Sequence, residues 1–306
     1  PAGKFEGRKE VRAVRLGCHI SIRRGYSGAA RAALALGAGA FQYFPKNPRS
    51  LQPKALDAAT AADAADCKAI SARYGLLSIA HAPYPANIAV DDEGMRRAVA
   101  ASLRNDLAIA EACGSVGLVV HFGKYRGKDA LQGYKNSIQC LNDVLSGWDG
   151  QALVLIENQA GEGTDMGLTL DECVTLRRLA RHPDKIGFCL DTCHLFAGGV
   201  WNGRNWREVA RRGEELGYFA FLKAVHLNDS RYSSGSRRDR HAVFGEGLIG
   251  TEAFQELLAS PWLKDVPLIL ETPPGPDGTH RAEMARIREL AARTRSAKAE
   301  ADAPPT

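Results

Sequence analysis

Residues 117–157, GLVVHFGKYRGKDALQGYKNSIQCLNDVLSGWDGQALVLIE, contain the repeating unit that decides the fold. An apolar run, Gly117–Val120, is followed by helical periodicity over Asp129–Leu145 and then by a second apolar run, Leu153–Ile156. Apolar runs without polar alternation are typical of strands buried on both faces, and a helix between two of them makes the strands parallel. The segment therefore predicts a β-α-β unit of an α/β protein.

The same unit recurs along the chain. The other apolar runs are Val14–Gly17, Ala40–Phe44, Leu77–Ala80, Gly187–Leu190, Lys223–Leu227 and Pro267–Leu270. A helix is expected after each strand, and further examples of helical segments are Ala29–Leu36, Ala55–Tyr74, Glu93–Cys113, Asp171–Arg181, Asn205–Leu216 and Thr251–Ser260. Eight predicted strands at intervals of roughly 25 to 45 residues favour a closed (β/α)8 TIM barrel. An open doubly wound sheet is the alternative, but no break in composition supports it.

Length and composition indicate one globular domain. The 306 residues contain no linker and no internal repeat, so a TIM-barrel domain is expected over residues 13–295. Residues 1–12 are expected to form a basic extension and residues 296–306, rich in Ala, Glu, Lys and Pro, a disordered tail. Apolar runs too short for a membrane span and seven scattered cysteines predict a cytoplasmic protein without a membrane partner. The net charge of +5 permits a polyanionic partner without requiring one.

Metal-capable side chains follow the predicted strands from the third to the eighth. They are His81, His121, Glu157, Asp191, His194, His226, Asp239, His241 and Glu271. In a TIM barrel the carboxyl ends of the strands meet on one rim, where active sites lie, so we expect these side chains to converge. Imidazole and carboxylate ligands without thiolate suit Zn²⁺, Mn²⁺ or Fe²⁺. The pattern therefore predicts a metal centre at this rim.

The number of candidate ligands indicates more than one ion. Nine ligands are too many for one tetrahedral site but fit three ions, provided that one carboxylate bridges two of them. Four of the nine are carboxylates, so three divalent ions would leave a net charge of about +2, six positive charges against four negative. A site of that charge attracts a phosphate group.

Several motifs resemble those of the endonuclease IV family. They are Asp191-Thr-Cys-His194, His226-Leu-Asn-Asp-Ser230, Arg237-Arg-Asp-Arg-His241, Leu270-Glu-Thr272, His81-Ala-Pro-Tyr84 and Glu157-Asn-Gln-Ala-Gly161. The resemblance runs in unbroken order from about Arg15 to Glu271. It implies an apurinic/apyrimidinic endonuclease of base excision repair that cuts double-stranded DNA on the 5′ side of abasic sites, leaves 3′-hydroxyl and 5′-deoxyribose phosphate ends, and also trims 3′ ends at the nucleoid.

The resemblance also implies three Zn²⁺ ions, one or more of them replaceable by Mn²⁺ or Fe²⁺. The implied ligand sets are His81, His121 and Glu157 for the first ion, Glu157, Asp191, His226 and Glu271 for the second, and His194, Asp239 and His241 for the third. Two metals would activate a water that attacks the phosphorus in line. Glu157 would bridge those two metals, and Glu271 would orient or deprotonate the water, which makes these the implied catalytic carboxylates.

The DNA contacts implied by the resemblance lie on loops. Arg49 and Tyr84 match side chains that family members push into the duplex, and Arg240 would lie near a phosphate. Ser50 and Leu51 replace a bulkier Gln-Trp pair of many relatives. This difference concerns how DNA is bound and does not affect the metal ligands. The family suggests a monomer.

Three further features complete the sequence interpretation. Gly245-Glu-Gly-Leu-Ile-Gly250 matches a dinucleotide-binding fingerprint but has no strand directly before it, so no nucleotide cofactor is expected. His19 is the best remaining candidate ligand, although the family pattern does not use it. The alternative function is a one-metal sugar isomerase or epimerase of the xylose isomerase-like superfamily, which would need only the second ligand set and would leave the other five candidates unexplained.

Overall fold

The structure, a computed structural model, describes residues 14–301, the side chains of 295–301 excepted. The strands in that range are β1 (Leu16–His19), β2 (Ala40–Tyr43), β3 (Leu77–His81), β4 (Gly117–His121), β5 (Leu153–Glu157), β6 (Ile186–Asp191), β7 (Leu222–His226), β8 (Asp229–Ser230), β9 (His241–Ala242) and β10 (Leu268–Leu270). β1 to β7 and β10 are parallel and close into a barrel, with β10 between β7 and β1. The predicted single-domain (β/α)8 barrel is confirmed.

Helices surround the barrel. Within residues 14–301 they are α1 (Gly25–Ala35), α2 (Ala58–Tyr74), α3 (Glu93–Ala112), α4 (Ala130–Leu145), α5 (Leu170–Leu179), α6 (Thr192–Ala197), α7 (Trp206–Leu216), α8 (Thr251–Leu258) and α9 (Arg281–Ala301). None of them is both long and apolar enough to cross a membrane. The predicted N-terminal extension, residues 1–12, lies outside the described residues. α9 continues to Ala301, into the segment 296–306 predicted as a tail, and the rest of that segment also lies outside.

The strands are buried on both faces, which explains their apolar sequences. One face fills the barrel interior, whose residues are Ala40, Ile79, Val119, Leu155, Cys189, Ala224 and Ile269. The other face packs against the helices in a larger apolar layer, to which Leu118 and Val120 of β4 belong. Burying both faces removes the polar alternation that a half-exposed strand would show.

The first strand lies two residues further along the chain than the sequence predicts. It spans Leu16–His19 rather than Val14–Gly17, and this shift places His19 at the carboxyl end of β1, on the functional rim. Gly17 pairs with Ala40 of β2, and a Cβ atom at position 17 would overlap the carbonyl oxygen of Ala40. The first pair of strands can therefore approach this closely because residue 17 has no side chain.

Candidate metal centre

Six of the predicted ligands lie at the carboxyl ends of successive barrel strands. His81, His121, Glu157, Asp191 and His226 are the last residues of β3 to β7, and Glu271 directly follows β10. The strand register places His121 opposite Glu157 and Asp191 opposite His226. Parallel pairing therefore brings side chains together on one rim that are up to 190 residues apart in the sequence, 271 minus 81.

The remaining three ligands are held by local structure beyond the strands. Asp191 caps the short helix α6, and its carboxylate accepts a hydrogen bond from the backbone nitrogen of His194 at 2.7 Å. This capping turn fixes the spacing of the Asp-x-x-His motif. Asp239 and His241 lie in the loop after β7, where His241 is paired with Ser230 in the β8–β9 hairpin.

The loop after β7 is held by a buried carboxylate that was not predicted from the sequence. Asp229 accepts hydrogen bonds from the backbone nitrogens of Gly245, Gly247 and Ile249 at 3.0–3.1 Å. The loop glycines that match a dinucleotide fingerprint thus bind an internal carboxylate. This arrangement fixes the segment that follows His241.

All nine predicted ligands fall into three groups, within each of which the donor atoms lie within 4.8 Å of one another. The groups are His81, His121 and Glu157; Glu157, Asp191, His226 and Glu271; and His194, Asp239 and His241. They coincide with the three sets implied by the family resemblance, and Glu157 belongs to two of them. The sulfur of Cys193 also lies within 4.8 Å of ligand atoms of Asp191 and His241, and burial raises the pKa of this thiol to about 12 in the metal-free protein.

The hydrogen bonds of His226 indicate a cation between its ring and the carboxylates. Gln42, fully buried in β2, donates from Nε2 to Glu271 Oε1 at 2.6 Å, so its Oε1 faces His226 Nε2 at 2.7 Å and can only accept. The His226 proton therefore lies on Nε2. Nδ1, which then carries a lone pair in the neutral ring, lies 2.9 Å from Glu157 Oε1 and 3.1 Å from Glu271 Oε2. A lone pair facing two carboxylates requires a metal ion or a second proton.

His81 and His194 repeat this arrangement with backbone carbonyls. His81 Nδ1 donates to the carbonyl of Ala82 at 2.8 Å, and His194 Nδ1 donates to the carbonyl of Asn158 at 2.9 Å. Their Nε2 atoms then face carboxylate oxygens, that of Glu157 at 3.6 Å and that of Asp239 at 3.1 Å. Metal-binding histidines commonly donate their other ring nitrogen to such a fixed acceptor.

Two buried polar atoms of the centre form no hydrogen bond of acceptable geometry within the described residues, although each lies near an opposite group. Oε2 of Glu157, whose side chain is 1% exposed, is 3.2 Å from Nε2 of His121, and Nε2 of His241 is 3.3 Å from Oδ1 of Asp239. Buried polar atoms without partners are rare in native proteins because each costs free energy. Together with the imidazole and carboxylate donor set, they show that these residues fit divalent ions of the zinc type.

The electrostatics of the centre favour charged forms. Burial disfavours the imidazolium of His194, but Asp191 and Asp239 outweigh burial and hold the pKa of His194 well above its ordinary value. Burial likewise opposes protonation of His241, yet Asp239 and Asp191 raise its pKa to about 9. Burial also opposes ionisation of Glu271, but His226 lowers its pKa to about 2. The ring nitrogens therefore hold protons where a metal ion would otherwise compensate the carboxylates.

Two asparagines orient the ligands and were not predicted as site residues. Asn228 donates to Asp191 Oδ2 at 2.8 Å and accepts from the backbone nitrogen of Glu271 at 2.9 Å. Asn158 accepts from the backbone nitrogen of Asp191 at 2.8 Å and presents its carbonyl to His194. Both lie one or two residues after a ligand in motifs quoted from the sequence, which is the signal that could have identified them.

The three groups lie at the wall of a cavity of about 890 Å³, which is lined by His121, Glu157, Asp239 and Glu271. Tyr84 is 71% exposed and lines this cavity and an adjoining one of about 760 Å³.

The predicted DNA contacts occupy three loops around the centre. The backbone nitrogen of Tyr84 donates to the carbonyl of Pro48, beside the exposed Arg49. Arg240 is exposed but forms an ion pair with Glu162 at 3.0 Å. Glu162 also accepts from the backbone nitrogen of Asp239 at 3.2 Å, so this pair connects the arginine to a metal-ligand position.

Known proteins share both the sequence and the fold. A family model described as a xylose isomerase-like TIM barrel matches residues 30–290. A probable endonuclease 4 of Symbiobacterium thermophilum is 40% identical over 277 residues, which are 90% of this chain and 99% of that protein. This chain belongs to the endonuclease IV family. Membership makes it a hydrolytic endodeoxyribonuclease of DNA repair.

Solved structures agree with membership of the endonuclease IV family. The crystal structure of endonuclease IV from Thermus thermophilus is 33% identical, with a TM-score of 0.79, and the match covers 91% of this chain and 99% of that one. A D-tagatose 3-epimerase-like protein is 18% identical, with a TM-score of 0.64 over 94% of this chain and 100% of that one. The second likeness shows the common barrel fold alone.

Proposed function

We propose that this chain is a zinc-dependent apurinic/apyrimidinic endonuclease of base excision repair. In this proposal it binds three Zn²⁺ ions, any of which Mn²⁺ or Fe²⁺ can replace, and hydrolyses double-stranded DNA on the 5′ side of an abasic site. The products are a 3′-hydroxyl and a 5′-deoxyribose phosphate, and the same centre trims blocked 3′ ends at the nucleoid. One chain contributes every residue of the three groups, so the proposed active unit is a monomer.

The proposal rests on one observation. At the wall of an open cavity, the lone pairs of histidine rings face carboxylates. Neither a buried ion pair nor a hydrogen-bonded core explains three separate groups of this kind at one rim. The donor set of imidazoles and carboxylates suits zinc, and sharing Glu157 between two groups suits closely spaced ions. Closely spaced divalent ions are typical of enzymes that break phosphodiester bonds.

When bound, such ions activate a water and neutralise charge on the phosphoryl oxygens. The carboxylates of this chain have different parts in that chemistry because their exposure differs. Glu157 and Asp191, with side chains 1% and 0% exposed, hold fixed negative charge at the base of the site. The side chain of Glu271 is 19% exposed and lines the cavity, so its Oε2 can accept the proton of an attacking water while Gln42 holds Oε1.

The loop residues suggest how an abasic nucleotide would reach this centre. A nucleotide without a base costs little to unstack, so an exposed side chain beside the site can take its place in the duplex. Tyr84 stands between two cavities and Arg49 lies on the neighbouring loop, and both are exposed. Arg240 would contact a phosphate after exchanging its ion pair with Glu162.

A one-metal sugar epimerase is the competing proposal, since structures of that fold are similar to this one. The group of Glu157, Asp191, His226 and Glu271 alone would hold the single ion that such a reaction needs. That proposal gives no role to the two other groups. In these groups the Nδ1 atoms of His81 and His194 donate to backbone carbonyls, and their Nε2 atoms face carboxylate oxygens. We therefore favour phosphodiester hydrolysis.

The deciding experiment uses a duplex oligonucleotide with one tetrahydrofuran abasic analogue. This analogue cannot undergo β-elimination, so a nick on its 5′ side must come from hydrolysis. We expect the zinc-loaded protein to cut there, chelation to abolish cutting, and zinc or manganese to restore it. The same duplex with an intact nucleotide serves as control.

Absence of cutting by protein that contains three zinc ions per chain, measured by mass spectrometry, would overturn the proposal. Epimerisation of ketoses by protein with a single ion would establish the alternative.

A further inference from the structure

His19 lies beside the metal centre but belongs to none of the three groups within the described residues. It is the last residue of β1, on the same rim, and lines the 890 Å³ cavity together with His81 and Glu271. It also lines a second cavity of about 800 Å³. His19 therefore lies at the site without being one of the candidate metal ligands.

Gln42 determines which ring nitrogen of His19 carries the proton. The amide nitrogen of Gln42 already donates one hydrogen to Glu271, and its other hydrogen points to His19 Nδ1 at 3.3 Å. An amide nitrogen can only donate, so Nδ1 of His19 accepts. The neutral ring therefore carries its proton on Nε2, and Nδ1 is not free to bind a metal ion.

The surroundings of His19 keep it a neutral donor. Its ring packs on Phe44, with ring centres 4.6 Å apart, which fixes the ring plane. Burial outweighs the opposing charge of Glu271 and lowers the pKa of His19 to about 4. Its Nε2 has no hydrogen-bond partner within residues 14–294 and is not sealed from solvent. An open N–H group at a cavity wall is positioned to bind an oxygen atom of a ligand.

The second cavity has walls that suit a polyanion. Arg23 and Lys54 contribute positive charge and Asn47 an amide, and the cavity adjoins the first one along His19 and Phe44. A DNA strand with its scissile phosphate at the metal groups would place a neighbouring phosphate along this wall.

We propose that His19 is a substrate-contacting residue that donates a hydrogen bond from Nε2 to a non-bridging oxygen of a backbone phosphate next to the scissile one. Gln42 is the positioning residue that keeps His19 in this donor form. The inference rests on the proposed function, because it requires a DNA strand in the cavity.

The test compares three variants with the wild-type protein. His19→Phe keeps a ring against Phe44 but removes both nitrogens, and His19→Gln retains an amide donor. His182→Phe is the matched control, because His182 precedes β6 at the opposite rim. We expect His19→Phe to lower kcat/KM on the tetrahydrofuran duplex about 10- to 100-fold, as expected for losing a hydrogen bond to a charged group. His19→Gln should recover most of the loss, and the control should not differ from wild type.

Binding and metal content separate the phosphate contact from other roles. Duplexes carrying one uncharged methylphosphonate at each flanking position in turn are titrated by fluorescence anisotropy, and zinc is counted by mass spectrometry. One methylphosphonate should weaken binding to the wild-type protein but not to His19→Phe, and the zinc content should be unchanged.

Three outcomes would overturn the inference. They are a zinc ion lost in His19→Phe, equal methylphosphonate penalties in both proteins at every position, and a wild-type rate in His19→Phe. If the wild-type protein cuts the duplex while any of these outcomes is observed, the proposed function still holds. If the wild-type protein neither binds nor cuts the duplex, both proposals are overturned.

Discussion

Single residues decide the chemistry of this site through the positions of their protons. A buried amide, Gln42, and two backbone carbonyls, those of Ala82 and Asn158, each fix one nitrogen of a ligand histidine. The other nitrogen then faces the carboxylates. The convergence of the nine predicted ligands could be predicted from the sequence because the strand ends of a barrel meet on one rim. Gln42 was missed, although a lone amide inside the apolar run Ala40–Phe44 was the available signal.

Replacing Gln42 tests this control of proton position. Gln42→Leu keeps the side chain's approximate size but leaves His226 Nε2 without its acceptor and Glu271 Oε1 without its donor. We expect the affinity for zinc to fall about 10- to 100-fold, as for other residues that orient metal ligands. Competition with a chromophoric chelator measures it. Gln139→Leu, which removes an amide of α4 that donates to Asp143 within the same helix, should have no effect. Unchanged affinity in Gln42→Leu would show that the amide does not position the ligands.

Glu271 is the carboxylate expected to move a proton. Glu271→Gln retains an oxygen that can bind a metal ion but cannot accept the proton, so we expect the single-turnover rate on the tetrahydrofuran duplex to fall about 10²- to 10⁴-fold. Glu246→Gln, an exposed acid paired with Arg286, is the control. The comparison is valid only if the Glu271→Gln variant contains as much metal as the wild-type protein. A fully metallated Glu271→Gln that cuts at the wild-type rate would exclude Glu271 as the base.

At the scale of elements, the sequence predicts the long strands and helices well and the short or weakly patterned ones poorly. β8 and β9 have two residues each and α6 has six, too few for any periodicity to appear. These elements are held by contacts with residues outside them, as when Asp229 of β8 accepts hydrogen bonds from the backbone nitrogens of Gly245 and Gly247. Such contacts join residues distant in sequence and leave no local pattern.

A helix is expected after the last barrel strand, but the range of α9 was not predicted, for a different reason. Its buried residues Met284, Ile287 and Ala291 have helical spacing, so the signal was present in the sequence. The charged residues around them lower the average hydrophobicity of the segment. A weakly amphipathic helix on the outside of a barrel is therefore easy to mistake for a connecting segment.

The pairing of β1 with β2 depends on one glycine, and a neighbouring glycine supplies the control. Gly17→Ala places a Cβ atom on the carbonyl oxygen of Ala40, so the two strands must separate. We expect the free energy of unfolding to fall by about 3 kcal/mol or more, measured by urea denaturation. At Gly39 the nearest atom to an added Cβ is 3.5 Å away, so Gly39→Ala should change stability by about 1 kcal/mol at most. Equal effects at the two positions would contradict the close approach.

At the scale of the whole molecule, the candidate metal centre connects the ends of most of the barrel strands. Its ligands come from the ends of β3 to β7 and from the residue after β10, and the last strand pairs with β7 through only two residues in register. Four carboxylates that converge without cations would repel one another and oppose closure. Metal ions, or protons in their place, are therefore part of what holds the described barrel together.

This exchange of protons for metal ions predicts that pH affects the metal-free and the zinc-loaded protein differently. The pKa of His241 is raised from 6.5 to about 9, so the native metal-free protein binds more protons than the unfolded chain in that range. The stability that protonated His241 contributes is fully present below pH 6.5 and is lost as the pH rises through about 9. Zinc must displace the same protons, so the extra stability that zinc confers grows over this range.

Melting temperatures measured between pH 6.5 and 9, with chelator and with zinc, test both slopes. We expect the Tm of the metal-free protein to fall with rising pH and the difference between zinc-loaded and metal-free protein to widen. His241→Gln removes one of the responsible groups and should flatten the metal-free slope, whereas His182→Gln at the opposite rim should leave it unchanged. A metal-free Tm that rises across this range would mean that the ring nitrogens do not hold protons in place of metal ions.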